Sequence, residues 1–129
     1  MNNDLPLRTG VGVVVINSKN RVFVGRRIDN SNDKWQLPQG GVDKDEELLS
    51  AMKRELHEET SIKNIKILKE LDYWVEYELP KRLVGIIWKG KFRGQKQKWF
   101  IVRFVGDETE ININTKKPEF NDWKWLDAN

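Results

Sequence analysis

Apolar and polar positions alternate along most of this chain at strand spacing, and only one stretch departs from it. Val11 to Ile16 is a nearly unbroken β-branched run, the pattern of a strand buried on both faces. Asn17-Ser18-Lys19-Asn20 supplies a turn. Arg21 to Arg26 then returns with Val22 and Val24 alternating against Phe23, which predicts a hairpin. A polar loop follows from Asp29 to Lys34. Trp35-Gln36-Leu37 is a short extended piece ended by Pro38, with Gly40 and Gly41 just beyond. The departure comes next. Leu48, Leu49, Met52 and Leu56 recur at helical spacing, so a helix is predicted from Asp43 to Thr60. Asp43 and Glu46 stand at capping-box distance, and Asp45, Glu46 and Glu47 put negative charge where the dipole favours it.

After the helix the pattern is extended again. Residues 62 to 71 have scattered apolar positions, and Tyr73, Val75, Tyr77 and Leu79 share one face of a half-exposed strand ended by Pro80. Leu83 to Trp88 is a further apolar run. Lys89 to Lys98 reads as a basic, glycine-punctuated loop, Trp99 to Val105 as a strand. Asp107 to Glu119 reads as a polar connection with a brief strand at Glu110 to Asn114. Phe120 to Leu126, alternating Trp123 and Trp125, is the last strand. Met1 to Leu7 is polar and expected to fray. The fold class is α+β with a mixed sheet, in a single domain spanning 1–129.

The helix carries an electrostatic oddity. At about 100° per residue, Glu46, Ser50, Lys53 and His57 fall opposite the apolar stripe. Glu59 falls in the sector of Leu48 and Met52, Glu55 at its edge and Glu58 on the flank. Like charges at this spacing cost roughly 0.2–0.5 kcal/mol per pair, in the turns where the dipole disfavours anions. Arg54 supplies one unit of counter-charge. A bound divalent cation would supply the rest, and an all-oxygen donor set selects a hard ion, Mg²⁺ or Mn²⁺. The plainer reading is a solvated helix end with ordinary salt bridges.

Composition narrows the field. With 129 residues, 38% hydrophobic and 33% charged, the chain is globular. Without cysteine it has neither disulfides nor thiolate metal sites, which fits a reducing compartment; the expected location is cytoplasmic. A single histidine, His57, disfavours a histidine zinc site or a Ser-His-Asp triad. No apolar run is long enough to span a membrane. A net charge of +3 beside an acid cluster leaves the remaining surface basic, suited to steering a polyanion or simply to solubility.

Gly40, Glu46, Arg54-Glu55-Leu56, Glu58-Glu59, Ser61 and Ile62 stand at the intervals of the Nudix box, and the chain resembles the Nudix hydrolases. One fixed position departs: Ser61 stands where the family usually has glycine. Glycine there lets the chain leave the helix at φ > 0, so serine predicts a modestly strained exit. Trp35 to Gly41, Tyr77-Glu78-Leu79-Pro80, Gly94 to Phe100 and Pro118-Glu119-Phe120 are similar to the bacterial RNA 5′-pyrophosphohydrolase and diadenosine-polyphosphate hydrolase branch, over about Arg8 to Leu126. The resemblance implies a Nudix α/β/α sandwich. Such a sandwich has a second helix near the C-terminus, and no room for one remains before Asn129. The expectation is a truncated form, a sheet face covered by a partner, or a marginal domain.

The resemblance also implies roles. Glu55, Glu58 and Glu59 would hold Mg²⁺, or Mn²⁺ in its place, with the late Glu119 reaching the same site. Glu58 or Glu119 is a candidate general base. Arg54 would orient a neighbouring carboxylate and Glu46 would hold Arg54. Arg8 and Arg27 would meet a nucleotide's phosphate chain. Gly40 and Gly41 would allow close backbone approach to a phosphate before a helix N-terminus; a plain turn is the alternative. Tyr77 would contact a base or a phosphate, or simply pack. Lys81 and Arg82 read as surface. Arg93 to Lys98 mixes cations with aromatics, as single-strand binders do, and also as exposed loops do. The implied substrate is 5′-triphosphorylated RNA, then diadenosine polyphosphates. A nucleotide-sanitising pyrophosphatase and a Nudix-like binding module without turnover are the alternatives.

Overall fold

The computed structural model describes residues 5–28 and 34–127. The expected fraying at Met1 to Asp4 and most of the loop from Asp29 lie outside the described residues. Strand β1 (Leu7–Ile16) is the axis of a mixed sheet. It runs parallel to β6 (Gly94–Phe104) along its whole length, from Leu7↔Gly94 to Ile16↔Arg103. Its other edge is shared. The first half pairs with β4 (Gln39–Gly41), and the far end meets β2 (Arg21–Arg27) at Ile16↔Val22. β2 in turn pairs with β3 (Trp35–Gln36) and β7 (Phe120–Asp127), and β5 (Ile65–Glu78) closes the opposite side on β6.

The core follows from the β-branched run. Val11, Val13 and Val15 bury one face of β1 beside Phe100 and Val102 of β6. Met52 and Leu56 of helix α1 (Leu48–Thr60) join the same cluster. The opposite face of β1 has Gly12, where a Cβ would collide with the Trp99 ring from β6. Phe23, Trp123 and Trp125 pack as an aromatic group between β2 and β7, with Phe23 and Trp123 stacked at 5.5 Å. Among the described residues α1 is the only α-helix, so one helical layer covers the sheet.

Several boundaries differ from the sequence reading. The helix begins at Leu48 rather than Asp43, because Asp45 sits at φ 64°, a left-handed conformation that no helix interior accommodates. Asp43 and Glu46 close a turn instead. The Glu46 carboxylate accepts from the Asp43 N–H (2.9 Å), and the Glu46 N–H donates to the Asp43 carbonyl (3.1 Å). The two extended pieces after the helix are one strand, β5, re-registered against β6 by irregularities at Ile67/Lys69 and Glu70/Trp74. Half of the supposed basic loop, Gly94 to Lys98, is the start of β6, held by its parallel partner Leu7 to Val11. The apolar run Leu83 to Trp88 lies in two 3₁₀ turns, Lys81–Leu83 and Ile87–Gly90, and the segment joining them. The brief strand expected at Glu110 to Asn114 is absent. A 3₁₀ turn, Glu108–Glu110, stands there, capped by Asp107, whose carboxylate accepts from the Thr109 N–H at 2.9 Å.

The helix exit is as strained as the serine predicted. Ser61 adopts φ 67° while its N–H closes on the His57 carbonyl at 2.8 Å. Its hydroxyl donates to the Asn112 carbonyl at 2.8 Å, and the Asn112 N–H returns to the Thr60 carbonyl at 2.9 Å. The helix end and the segment leading to β7 are thereby tied together.

Candidate active site

The last two turns of α1 lie against β4, and their acids are organised by one cation. Arg54 grips Glu46 with two hydrogen bonds, Nε to Oε2 at 2.8 Å and Nη2 to Oε1 at 2.9 Å. Its Nη1 reaches Glu55 at 2.7 Å and Glu58 at 3.2 Å, while Nη2 also donates to the Gly41 carbonyl at 2.8 Å. The Arg54 bonds, helped by the Asp43 N–H, hold the Glu46 carboxyl down to about 2. Arg54 itself is pushed above its already high ordinary value, chiefly by Glu46. The expectation that Glu46 would face water fails for this reason: its side chain is only 16% exposed.

Glu55 and Glu59 are drawn inward. Glu55 occupies the space over Gly40, where any Cβ would overlap its carboxylate. Burial pushes Glu55 up, and Arg54 opposes the shift. Glu59 is 4% exposed and accepts from the Gln39 N–H at 3.2 Å. Burial pushes it up to about 9, and the negative charges of Glu55 and Glu119 add to that. Glu58 stays on the flank, with its side chain 57% exposed. Glu119 arrives from the far end of the chain. Its backbone carbonyl accepts from the Ile28 N–H (3.0 Å) and its carboxylate lies 3.4 Å from Arg27.

These acids open onto a cleft of about 950 Å³. Gly40 and Gly41, the cations Arg8 and Arg27, and Tyr77, Trp88 and Gln95 line it with them. Arg8 donates to Gln95 at 2.8 Å and lies 5.2 Å from the centre of the Trp88 ring. The Tyr77 hydroxyl donates to Gln97 at 2.6 Å, and burial raises it despite Arg8. Tyr77 is 45% exposed, which does not fit a packing role alone. A Cβ at Gly41 would meet the Arg8 guanidinium, so the glycine leaves that group its place. The glycine pair therefore differs from the sequence reading: it lies in a strand separated from the helix by six residues, making room for Glu55 and Arg8 rather than opening a helix N-terminus.

The donor set suits a hard divalent cation. Glu59 is a nearly buried carboxylate facing two other acids, and proton uptake or a cation are the two ways to relieve it. Among the described residues no three such groups already converge on one point. Arg54 explains this, because it draws Glu55 and Glu58 to itself while Glu59 turns toward Gln39.

Arg8, Arg27, Gly40, Gly41, Glu55, Glu58, Glu59, Tyr77 and Glu119 all line this cleft, while Arg54 and the Glu46 that holds it stand outside its lining and brace the acids. Lys81 and Arg82 lie outside it, in an exposed turn. Sequence reasoning assigned no role to Gln39, Trp88, Gln95 or the segment from Asn114 to Lys117. A detectable signal for Gln95 was its alternation with Gln97 just before an apolar strand. Trp88 carried none, because its place depends on left-handed backbone at Trp88 and Lys89.

Comparison with known proteins follows the same lines. A family model of the NUDIX domain matches residues 6–129. An RNA pyrophosphohydrolase of Pelagibacter ubique (strain HTCC1062) is 64% identical over 124 residues, covering 96% of this chain and 78% of that one. An RNA pyrophosphohydrolase of Orientia tsutsugamushi (strain Boryong) is 46% identical over 127 residues, covering 98% and 79%. Among solved structures, E. coli dihydroneopterin triphosphate pyrophosphohydrolase superposes with a TM-score of 0.74 at 25% identity, over 95% of this chain and 84% of that one. A C. elegans Ap4A hydrolase shares the fold, with a TM-score of 0.68 at 20% identity over 94% and 80%.

Proposed function

Since the chain belongs to the NUDIX domain family of phosphoanhydride hydrolases, we propose that it removes pyrophosphate from the 5′-triphosphate end of RNA. The observation that supports this most is the pairing of opposites in one cleft. A partly buried, mutually repelling carboxylate set shares one cleft with Arg8, Arg27, Gly40 and Gly41. The names of the relatives, RNA pyrophosphohydrolase, point to the triphosphate end of RNA as the substrate.

Each residue has work that its position allows. Arg8 and Arg27 meet phosphate oxygens through planar guanidinium donors. Glu55, Glu58, Glu59 and Glu119 are the residues that would hold Mg²⁺, or Mn²⁺ in its place. Such an ion neutralises the phosphate chain and lowers the pKa of a water. Arg54 keeps Glu55 and Glu58 oriented from behind, and Glu46 keeps Arg54 in place. Glu58 and Glu119, the more exposed acids, are placed to take a proton from the attacking water. Glu59 binds its own proton near neutrality when no cation is present, so it is a poor base. The water oxygen bonds to phosphorus, the anhydride P–O bond breaks, and RNA 5′-monophosphate and pyrophosphate leave. The cytoplasm is the compartment this reading implies, and the absence of cysteine fits it.

The test is direct. The protein is incubated with Mg²⁺ and, separately, triphosphorylated RNA, diadenosine tetraphosphate and deoxynucleoside triphosphates, and the products are identified by mass. RNA is expected to be converted to its 5′-monophosphate, with Glu58→Gln at least ~100-fold slower. Preference for deoxynucleoside triphosphates over RNA would overturn the RNA assignment. No turnover of any substrate would sink the hydrolase reading altogether.

A further inference from the structure

One bank of the cleft has no part in the reaction just described. Where the helix ends, the wall is built by His57 and Ser61 on one side and by Asn114, Thr115, Lys116 and Lys117 on the other. The arginines around the cleft are engaged: Arg8 with Gln95, Arg27 beside Glu119, Arg54 with its acids. Lys116 and Lys117 differ. Both are exposed, and among the described residues neither has a hydrogen-bond or ion-pair partner. Beside them the Thr115 hydroxyl oxygen is buried and likewise without a partner among the described residues. The two lysines line the same cleft as Glu58 and Glu119 and form no ion pair with either.

The loop bearing these lysines is tied at both ends. At the near end, the Ser61 hydroxyl holds the Asn112 carbonyl at 2.8 Å and the Asn112 side chain accepts from the Asn114 N–H at 2.9 Å. At the far end, the Glu119 carbonyl is held by the Ile28 N–H at 3.0 Å. The Ser61 bond is made from left-handed backbone at φ 67°. Glycine would follow the same turn more easily but would have no hydroxyl to offer. The strain at Ser61 thus accompanies a specific contact.

We propose that Lys116 and Lys117, on a loop positioned by the Ser61 hydroxyl, bind a phosphate of the substrate beyond the one that is cleaved. This rests on the hydrolase reading above and names a further part of its substrate site. The chemistry is that of a phosphate in a chain. Two sources share it: a phosphodiester downstream of the first nucleotide of an RNA, and a distal phosphate of a dinucleoside polyphosphate. Lysines are mobile point charges, suited to a backbone phosphate that must be held without reading a base. A cleft of about 950 Å³ is at the upper end of the ~300–1,000 Å³ usual for small-ligand pockets, so a chain longer than a single triphosphate end fits it.

The experiment uses the full chain with Mg²⁺ and a Lys116→Gln/Lys117→Gln variant. KM and kcat are measured on a ribonucleoside triphosphate, on a triphosphorylated RNA of eight nucleotides and on diadenosine tetraphosphate, between 50 and 200 mM salt. For an RNA phosphodiester, KM of the octamer rises about tenfold in the variant against less than twofold for the ribonucleoside triphosphate, which has no phosphodiester, with kcat of the octamer held. The salt slope of kcat/KM falls by about 0.7, the value for one phosphate contact on a single strand. For a distal phosphate, the rise is instead on diadenosine tetraphosphate. Ser61→Gly is expected to raise the same KM without lowering the melting temperature, a split that a merely structural serine would not give. Fluorescence anisotropy of a 5′-monophosphorylated octamer repeats the comparison without turnover, so failure of the RNA reading is seen separately. Unchanged KM, slope and octamer affinity in the lysine variant would overturn the site. An unchanged KM in Ser61→Gly would overturn the positioning role.

Discussion

Replacing Glu59 by glutamine should make the protein more stable and less active at once. The magnitude follows from the burial of this one carboxyl. In the folded chain its pKa is pushed up to about 9, against an ordinary 4.5. Below pH 4.5 the group is protonated in both states and costs nothing. As pH rises above that, the unfolded chain ionises while the folded chain keeps its proton, so stability falls until pH 9 is passed. At pH 7 the interval is 2.5 units above 4.5. At about 1.4 kcal/mol per unit this amounts to a loss of roughly 3 kcal/mol. Glutamine at 59 never ionises, and its side-chain carbonyl can still accept from the Gln39 N–H. Urea denaturation in EDTA at pH 5, 6, 7 and 8 should therefore show the wild type weakening relative to Glu59→Gln, with a gap of ~3 kcal/mol at pH 7. Millimolar Mg²⁺ should close the gap by stabilising the wild type alone. Parallel stability curves for the two proteins across this range would refute the reasoning, because burial would then have imposed no proton on Glu59.

Two further outcomes are expected. Gly40→Ala inserts a methyl group into the Glu55 carboxylate, so it should lower stability by about 1–3 kcal/mol and depress turnover; thermal melts and steady-state rates check both. The Glu46 carboxyl, held to about 2 chiefly by Arg54, contributes stability that is present above pH 4.5 and lost as pH falls toward 2. Glu46→Gln should flatten the acid arm of a pH-melt profile, and should also slow turnover some ~10–100-fold by loosening Arg54.

The helix and its acids were legible because both rest on periodicity. An apolar stripe at 3.6 spacing orients Glu55, Glu58 and Glu59 before any coordinates exist, and their observed exposures follow that order. The buried face of β1 was legible because Val11 to Ile16 leaves no polar alternative. The start of β6 was not, because Gln95 and Gln97 are polar residues buried by mutual hydrogen bonding at 2.7 Å, and composition alone cannot distinguish that from a loop. β5 looked like two pieces because its irregular register disrupts the alternation of faces. The helix start was misread for a local reason: Asp43 and Glu46 satisfy a capping pattern that Asp45, in a left-handed conformation, turns into a loop closure. The partners of Gly40 and Gly41 were beyond reach, since Glu55 and Arg8 meet them only through tertiary packing.

Strand β5 carries Tyr77 to the cleft along one edge, and its other edge has no partner strand among the described residues. Over the same fourteen residues it exposes Ile67, Leu68, Tyr73, Trp74 and Val75. An apolar strand with open backbone groups is a template for self-association in solution. Lys66, Lys69, Glu70, Asp72, Glu76 and Glu78 interrupt it with both signs of charge, and the two register shifts keep it from lying flat. The charges along this edge therefore oppose association of the chain with copies of itself. Replacing Lys66 and Lys69 by serine would take the net charge from +3 to +1 and remove two charges from this edge, and the protein is then expected to self-associate as it is concentrated.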